Sequence, residues 1–344
     1  MKKAVVLFNL GGPDNLDNVE PFLFNLFNDP AIISLPFILR YPLAKLISKK
    51  RTPIAKKIYE EMGGSSPILK LTQEQASQLE KSLNIKQNEI NFKTFIVMRC
   101  WNPRASETIK KIKEFNPNEV ILLPLYPQFS YSTSGSSINE WKSICKKNNY
   151  KIKTSIICCY PTDESFIDAH IDEIKNKIGK NNNEKLIFSA HGLPEKNIKN
   201  GDPYQWQIEQ TVKKIIEKIK IPNIDYILSY QSRVGPLKWI GPSTDEVIIE
   251  NSKLGKNIII VPVAFVSEHS ETLVELDIEY KKLAINNGCK EYSRVAALGT
   301  NKHFIESLSK LVLNKENYKF KENLYVPKIQ CPSNFKKCLC YNKI

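Results

Sequence analysis

The chain has 344 residues, of which 42% are hydrophobic and 25% are charged, and its formal net charge is +14. These proportions are typical of a globular protein. The basic excess is mostly scattered lysine without a nucleic-acid-binding motif, and the longest apolar run is too short to span a bilayer, so we expect neither nucleic-acid binding nor a membrane-spanning helix.

Six apolar, β-branched runs alternate along the chain with segments of helical pattern. In chain order the runs are Ala4–Phe8, Thr94–Met98, Val120–Leu125, Lys185–Phe188, Asp225–Ser229 and Asn257–Val263. Amphipathic helices are predicted at Ser106–Phe115, Glu209–Ile219 and His303–Val312. This alternation predicts βαβ units with mostly parallel sheets, and two sets of three runs indicate a duplicated α/β domain.

Most of these runs lead into polar loops that contain Gly or Pro. In open parallel sheets, ligands bind beyond the carboxyl ends of the strands. We therefore look for a site in these loops, and a cleft between two such domains is the natural pocket.

Two segments next to strand ends carry candidate chemistry. His191 is separated from the run Lys185–Phe188 by two residues. The segment Ser267–Tyr280 follows the last run and carries Glu271, Glu275 and Glu279 at intervals of four. On a helix these carboxylates would share one face, where like charges repel by a few tenths of a kcal/mol per pair. Imidazole and carboxylates can bind a divalent cation and relay protons, whereas a solvated acidic face is the alternative.

Eight short motifs carry a resemblance to a known family. They are NLGGP at 9–13, KRTP at 50–53, GGSSPI at 63–68, LYPQFS at 125–130, SAHGLP at 189–194, GDPY at 201–204, QSRVGP and WIGP within 231–242, and VPVAFVSEHSETLVELDIEY at 261–280. In this order they resemble the ferrochelatases, and they span nearly the whole chain up to about residue 315.

The resemblance implies an α/β fold of two Rossmann-like domains, with parallel four-stranded sheets flanked by helices and a porphyrin cleft between them. It places the amino-terminal domain at 1–152, with a returning helix at about 302–315. The carboxy-terminal domain would be 153–301, followed by a Cys-rich tail at 316–344.

The resemblance also implies the reaction: insertion of Fe²⁺, as substrate, into protoporphyrin IX to form protohaem, the terminal step of haem biosynthesis. His191 and Glu271 match the catalytic and metal-site pair, and Glu275 and Glu279 match further metal or proton carriers. Removal of two pyrrole protons needs a base, and which of His191 and Glu271 serves stays open. The alternatives are a coproporphyrin III ferrochelatase and a porphyrin or haem carrier without catalysis.

The same resemblance marks residues around the porphyrin. Pocket positions are matched by Leu10, Arg99, Tyr126, Ser132, Trp239 and Phe265, and positions near the propionates by Lys50, Arg51, Tyr59 and Ser66. Cations and hydroxyls suit carboxylate recognition. The chain departs from the family at Cys100, where a Tyr is frequent, so this position supplies a thiol and no phenol.

The C-terminal cysteines Cys331, Cys338 and Cys340 have the spacing C-x6-C-x-C. Some ferrochelatases hold a [2Fe–2S] cluster on three such cysteines and one internal cysteine, for which Cys158 is favoured over Cys159. Four thiolates suit this cluster. A Cys-rich tail without a cluster, or adventitious zinc, is the alternative.

The apolar segment Ala31–Ile47 is followed by basic residues. Such a segment suits a membrane surface, although packing on the first domain is the alternative. With no leader recognisable before Ala4–Phe8, we expect a cytoplasmic protein with peripheral contact at the inner face of the membrane, as a monomer or homodimer.

Overall fold

The computed structural model describes residues 1–179, 183–233, 235–313, 318–321, 324–327 and 331–339. Within them the strands are β1 (Lys2–Asn9), β2 (Asn91–Met98), β3 (Glu119–Pro124), β4 (Thr154–Ile157), β5 (Glu184–His191), β6 (Tyr226–Gln231), β7 (Asn257–Pro262), β8 (Tyr292–Arg294), β9 (Tyr318–Lys321) and β10 (Leu324–Pro327). The six predicted runs correspond to β1, β2, β3, β5, β6 and β7.

Helices connect most of these strands. They are α1 (Val19–Phe27), α2 (Phe37–Glu60), α3 (Ile68–Lys86), α4 (Ala105–Phe115), α5 (Ser136–Lys147), α6 (Glu164–Lys175), α7 (Glu195–Lys199), α8 (Tyr204–Ile219), α9 (Thr244–Lys253), α10 (Tyr280–Asn286) and α11 (Lys302–Leu313). A 3₁₀ turn covers Leu16–Asn18, and two segments, Tyr131–Gly135 and Glu271–Glu279, are π-helical. The second of these continues directly into α10.

The chain divides into two compact units. The first contains residues 1–159 with the described residues of 308–330, and the second contains residues 160–307 with the described residues of 331–342. The domain boundaries expected from the sequence stay predictions.

The sheet of the first unit has the strand order β2-β1-β3-β4-β10-β9. Its strands β2, β1, β3 and β4 are parallel, and β1 is central and almost wholly buried because its run of Ala, Val, Leu and Phe is apolar on both faces. The expected four-stranded parallel sheet is confirmed. Two further strands extend it, since β10 pairs in parallel with β4, and β9 pairs antiparallel with β10.

The sheet of the second unit has the order β6-β5-β7-β8, and all its pairs are parallel, as expected. Strand β5 is flanked by β6 and β7, so His191 stands at the carboxyl end of a central strand, opposite Gln231. Leu276 and Tyr280 pack with Ile258 and Ile260 of β7 in one apolar cluster. That packing fixes the acidic π-helix against the sheet on which His191 stands.

Helix α2 of the first unit includes much of the apolar segment predicted to meet a membrane. Phe37 and Ile38 are 59% and 82% exposed, and Leu39 and Leu46 are also exposed. Across the part of the chain that is described, no helix combines the length and apolar character required to cross a membrane.

Candidate active site

His191 is the last residue of β5, and a backbone hydrogen bond fixes its ring. Its Nδ1 lies 2.7 Å from the carbonyl oxygen of Gly192. A carbonyl oxygen only accepts, so Nδ1 carries the proton of this bond. The neutral imidazole therefore has its lone pair on Nε2, which is the atom able to take a proton or bind a metal.

Glu271 faces that nitrogen. It opens the π-helix, and its Oε1 lies 3.5 Å from His191 Nε2. The two side chains are 38% and 30% exposed, so a ligand can reach both. Two donor atoms each about 2.1 Å from one divalent cation lie about 3.0–3.4 Å apart, close to the observed separation.

Glu275 lies one turn further along the π-helix and is held by four hydrogen bonds. Its Oε1 accepts from the backbone amide of Ser232 at 3.0 Å and from the hydroxyl of Tyr280 at 3.1 Å. Its Oε2 accepts from the hydroxyl of Ser232 at 2.6 Å and from the amide of Gln231 at 3.1 Å. These donors hold the carboxylate immediately beyond the carboxyl end of β6.

The pKa of Glu275 is raised above its ordinary value. Burial is the largest cause and the negative charge of Glu271 the second, while the Ser232 hydrogen bond and the charge of His191 act in the opposite direction. A carboxyl group with a raised pKa is suited to accept a proton from a neighbour near neutral pH.

Ser232 makes its two contacts from an unusual backbone conformation. Its φ is 61°, in the left-handed region that non-glycine residues seldom occupy. Strain of this kind costs of order 1–3 kcal/mol and concentrates at functional sites. Here the conformation brings both the amide and the hydroxyl of one residue to Glu275.

Glu279, the third of the predicted carboxylates, ends the π-helix and is exposed. Its role in binding metal or carrying protons stays a prediction. Within the described ranges, no three His, Cys, Asp or Glu side chains are grouped as a metal site.

His269 and Phe265 lie on the loop before the π-helix and pack edge to face, with ring centroids 4.6 Å apart. Burial lowers the pKa of His269, and the charges of Glu271 and Glu268 oppose that effect. His269 is therefore favoured in its neutral form, while the predicted pocket residue Phe265 supports its ring.

Trp239 packs over the backbone next to His191. A Cβ atom built on Gly192 would lie 3.1 Å from Cε3 of Trp239 and 3.0 Å from the carbonyl oxygen of Gln231. Trp239 also forms a backbone bridge with Pro194. Glycine at 192 therefore allows the indole to lie this close to the backbone beside His191.

In the first unit, three predicted pocket residues follow adjacent strand ends. Leu10, Arg99 and Tyr126 come directly or shortly after β1, β2 and β3. The Arg99 guanidinium lies 2.9 Å from Asp29 and donates to Ser136 at 2.6 Å, so its charge is balanced inside this unit. Burial raises the pKa of Tyr126, which keeps its phenol protonated.

The other predicted residues of this unit lie on or near helices. Lys50 and Arg51 are exposed on α2, whereas Tyr59 of the same helix is buried in a cluster with Cys100. Ser132 belongs to the π-helix Tyr131–Gly135, and its hydroxyl lies 2.8 Å from that of Ser130.

Ser66 follows α2, and its amide donates to the carbonyl oxygen of Pro13 at 2.8 Å. A Cβ atom on Gly12 would lie only 2.4 Å from the Ser66 hydroxyl, so the second glycine of the NLGGP motif makes room for Ser66.

The cysteines of the second unit's C-terminal segment lie close together. The Sγ atoms of Cys331 and Cys338 are 3.6 Å apart, and both residues are buried. The side-chain amide of Gln207 donates to Cys331 Sγ at 3.2 Å. The segment is held against the GDPY loop, where the Lys337 amide donates to the Gly201 carbonyl at 3.0 Å. Cys340 lies outside the described residues.

Several residues of the site were not singled out from the sequence. Gln231 and Ser232 lie in the QSRVGP motif, which marks the loop but not its contact with Glu275. Tyr280 is the last residue of the motif at 261–280, and that motif likewise does not reveal its hydrogen bond to Glu275. Tyr204 of the GDPY motif is buried, and its pKa is raised by burial and by the nearby Tyr230 and Glu271.

Comparison with solved structures defines the class of fold. SirB from Bacillus subtilis with Fe³⁺ matches with a TM-score of 0.55 at 14% identity, covering 92% of this chain and 98% of that one. The sirohydrochlorin chelatase SirB from Bacillus subtilis subspecies spizizenii, in complex with cobalt, matches with a TM-score of 0.51 at 12% identity, covering 89% and 92%. At these identities the likeness shows the fold alone, which is that of the chelatases.

Comparison of sequences defines the family. The family model described as Ferrochelatase matches residues 2–316. A protein named Ferrochelatase from Pelagibacter ubique (strain HTCC1062) is 70% identical over 342 residues, 99% of each chain. Another of that name from Rickettsia bellii (strain OSU 85-389) is 52% identical over 341 residues, covering 98% of this chain and 95% of its own. The chain belongs to the ferrochelatase family.

Proposed function

We propose that this chain inserts Fe²⁺ into protoporphyrin IX to form protohaem, with His191 Nε2 as the proton acceptor and Glu271 as the first protein ligand of the iron. Membership of the family makes the chain a metal chelatase that inserts iron into a porphyrin in haem biosynthesis. The carrying observation is the 3.5 Å approach of Glu271 Oε1 to His191 Nε2, with Nδ1 of the same ring engaged by the backbone.

The proton balance of the reaction assigns the two roles. Two pyrrole protons leave as one divalent cation enters, so the porphyrin core gains no net charge. The neutral His191 accepts a proton at Nε2, and the resulting imidazolium is stabilised by Glu271, the carboxylate nearest to it. Glu275, with its raised pKa and its own set of donors, is suited to take this proton onward, which returns His191 to its neutral form so that Nε2 can accept the second pyrrole proton.

The iron needs ligands that release it. The carboxylate of Glu271 suits Fe²⁺, and a single protein ligand leaves positions open for the porphyrin nitrogens. The family resemblance predicts apolar contacts to the ring from Leu10, Trp239 and Phe265, and cations for the propionates from Lys50 and Arg51. Binding energy along the ring is then available to bend the macrocycle toward the metal.

The test is anaerobic turnover of His191→Ala with Fe²⁺ against protoporphyrin and coproporphyrin in parallel. Loss of a general base costs roughly 10²–10⁴-fold in rate, while porphyrin binding, followed by fluorescence, should survive. His303→Ala is the matched control, because His303 lies on α11 with no role in the chemistry proposed. Near-wild-type turnover by His191→Ala refutes the assignment, and faster turnover of coproporphyrin refutes the choice of porphyrin.

We also propose a [2Fe–2S] cluster on Cys331, Cys338, Cys340 and Cys158. Two thiolates about 2.3 Å from one tetrahedral metal lie about 3.8 Å apart, and the Sγ atoms of Cys331 and Cys338 are 3.6 Å apart. The Gln207 amide supplies a hydrogen bond to sulfur, which tunes such clusters. The hydrogen bond shared with Cys338 and burial raise the pKa of Cys331, and a bound metal would stabilise its thiolate.

Iron, labile sulfide and visible absorption test the cluster in anaerobically purified protein. Cys331→Ser should lose all three signals, whereas Cys145→Ser on α5 should keep them. Wild-type protein that holds zinc in place of iron and sulfide contradicts the proposal.

We also propose that residues 31–47 contact the cytoplasmic face of a membrane. The apolar side chains of α2 are exposed next to the basic side chains of Lys45, Lys49 and Lys50. The protein should float with vesicles containing phosphatidylglycerol, and the double variant Phe37→Ser/Ile38→Ser should not. Leu254→Ser, at an exposed leucine of the second unit, is the control. Equal flotation of the double variant excludes this surface.

A further inference from the structure

Strand β8 presents two side chains to the π-helix. Tyr292 and Arg294 are two residues apart, so they project from the same face of the strand. The Tyr292 hydroxyl donates to the carbonyl oxygen of Leu276. The Arg294 guanidinium binds the Asp277 carboxylate through two bonds, Nε to Oδ1 at 2.8 Å and Nη2 to Oδ2 at 2.7 Å.

Arg294 also binds the chain ahead of the π-helix. Its Nη1 donates to Glu268 Oε1 at 2.9 Å, and the same oxygen accepts the Ala297 amide at 2.9 Å. Glu268 precedes Glu271 by three residues, and Asp277 follows Glu275 by two. The Arg294 guanidinium therefore anchors both ends of the segment that carries Glu271 and Glu275.

This arrangement is not explained by stability alone. The Arg294 side chain is only 8% exposed, and burying a charge is costly unless it is paired. Apolar residues of similar size often replace such buried ion groups without loss of stability, whereas the ion group defines one geometry. π-Helical turns are rare and need support from their surroundings, and the turn anchored here is the one that sets Glu271 opposite His191.

We propose that Arg294 and Tyr292 are positioning residues for metal insertion: from β8 they hold the π-helical register that fixes Glu271 and Glu275 relative to His191. This inference rests on the proposed roles of Glu271 and Glu275. Neither positioning residue touches the iron, and both act only through the π-helix.

The experiment compares Arg294→Lys, Asp277→Asn and Tyr292→Phe with a matched control. Asp225→Asn breaks another three-member ion group, in which one carboxylate lies between two cations: Asp225 is 2.6 Å from Lys185 and 3.2 Å from Lys256. Asp225 precedes β6, so this group lies at the opposite edge of the same sheet from His191.

Three quantities are measured for each variant: kcat, KM for the porphyrin, and hydrogen exchange of the peptide covering 268–280. Displacing a catalytic group by about 1 Å can cost a hundredfold in rate, so we expect kcat to fall roughly ten- to hundredfold in Arg294→Lys and Asp277→Asn. KM for the porphyrin should stay within about twofold, and exchange in 268–280 should rise. Tyr292→Phe keeps its ring packing and should show a smaller effect in the same direction.

Unchanged kcat and exchange in all three variants overturn the inference, as does a loss of kcat no larger than in Asp225→Asn at equal loss of thermal stability. Glu271→Gln, measured alongside, separates the two proposals. An inactive Glu271→Gln with a fully active Arg294→Lys refutes the positioning role alone. An active Glu271→Gln refutes the proposed function, and the positioning role with it.

Discussion

Ser232→Ala tests one hydrogen bond of Glu275, the carboxylate that we propose takes the proton onward from His191. The serine hydroxyl donates to Glu275 Oε2 at 2.6 Å, and its backbone amide donates separately to Oε1 at 3.0 Å. Alanine removes the first bond and keeps the second, and it meets the same steric restriction at a φ of 61°. The substitution is therefore a change in hydrogen bonding more than in backbone conformation.

The magnitude follows from the charge on the acceptor. A hydrogen bond to a charged group contributes about 1.5–3 kcal/mol, and this contribution is made to the ionised form of Glu275. If the ionised carboxylate takes up the proton, losing this bond disfavours the ionised form, so on the acidic limb the ionised fraction of Glu275, and kcat with it, falls roughly ten- to hundredfold, since each 1.36 kcal/mol corresponds to about a factor of ten. At higher pH, where Glu275 is ionised in both enzymes, kcat should not fall for this reason.

The pKa shift of Glu275 gives the direction in which the pH profile of kcat should move. The Ser232 bond lowers the pKa of Glu275 against the effects of burial and of Glu271. Without that bond the pKa rises further, so the acidic limb of the kcat profile moves to higher pH. Anaerobic iron insertion measured across the pH range tests both the fall in kcat and the movement of the acidic limb.

Ser155→Ala is the matched control. Its hydroxyl donates to a buried carboxylate of the first unit, Glu119, at the same distance of 2.6 Å. This variant should lose stability without loss of kcat. A Ser232→Ala enzyme with wild-type kcat and an unmoved acidic limb refutes the role of Glu275 in proton transfer.

Three further predictions concern other parts of the second unit. Burial lowers the pKa of His170 from 6.5 to about 3, so the unfolded chain binds a proton that the folded chain excludes between these values. Stability should therefore fall as the pH drops, by about 2 kcal/mol from this group between pH 7 and 5 in urea titrations, and His170→Phe should lack that part. Gly192→Ala places a Cβ 3.1 Å from Trp239 and should weaken porphyrin binding by about 1–3 kcal/mol, measured by fluorescence titration. Gly201→Ala, at φ 90° and with its Cβ 2.9 Å from the Lys336 amide, should loosen the C-terminal segment and speed its proteolysis.

A specific result would refute each of these three predictions. Parallel pH profiles of stability for wild type and His170→Phe refute the first, unchanged porphyrin affinity refutes the second, and wild-type proteolysis rates refute the third.

The strands that the sequence predicts correctly are those whose burial leaves a long apolar run. Strand β1 is such a run, and β5 reads the same way up to His191. The strands β4 and β8 were missed, since four and three residues carry too little pattern to separate a strand from a loop. That omission matters, because β8 carries the two side chains that reach the π-helix.

The residue types of the site were predictable, but their geometry was not. His191 and Glu271 stand out by strand-end position and by family motifs. The intervals of four in the acidic segment predict a helix, yet they do not distinguish an α-helix from the π-helix observed, which depends on packing and on long-range contacts such as Arg294 to Asp277. The contact of Ser232 with Glu275 depends in addition on a backbone conformation that sequence patterns seldom reveal.

The strands β9 and β10 have a practical consequence for work on the C-terminal cysteines. Because β10 pairs with β4 at Ile156 and Ile157, removing the whole tail 316–344 would take away not only the cysteines but also a neighbour of β4, and would leave backbone amides and carbonyls of β4 unpaired. An exposed strand of that kind recruits other chains and promotes aggregation. A protein truncated in this way would therefore precipitate for reasons unrelated to iron and sulfur. Replacing one cysteine at a time keeps β10 paired with β4, so the chemistry of the tail can be measured separately.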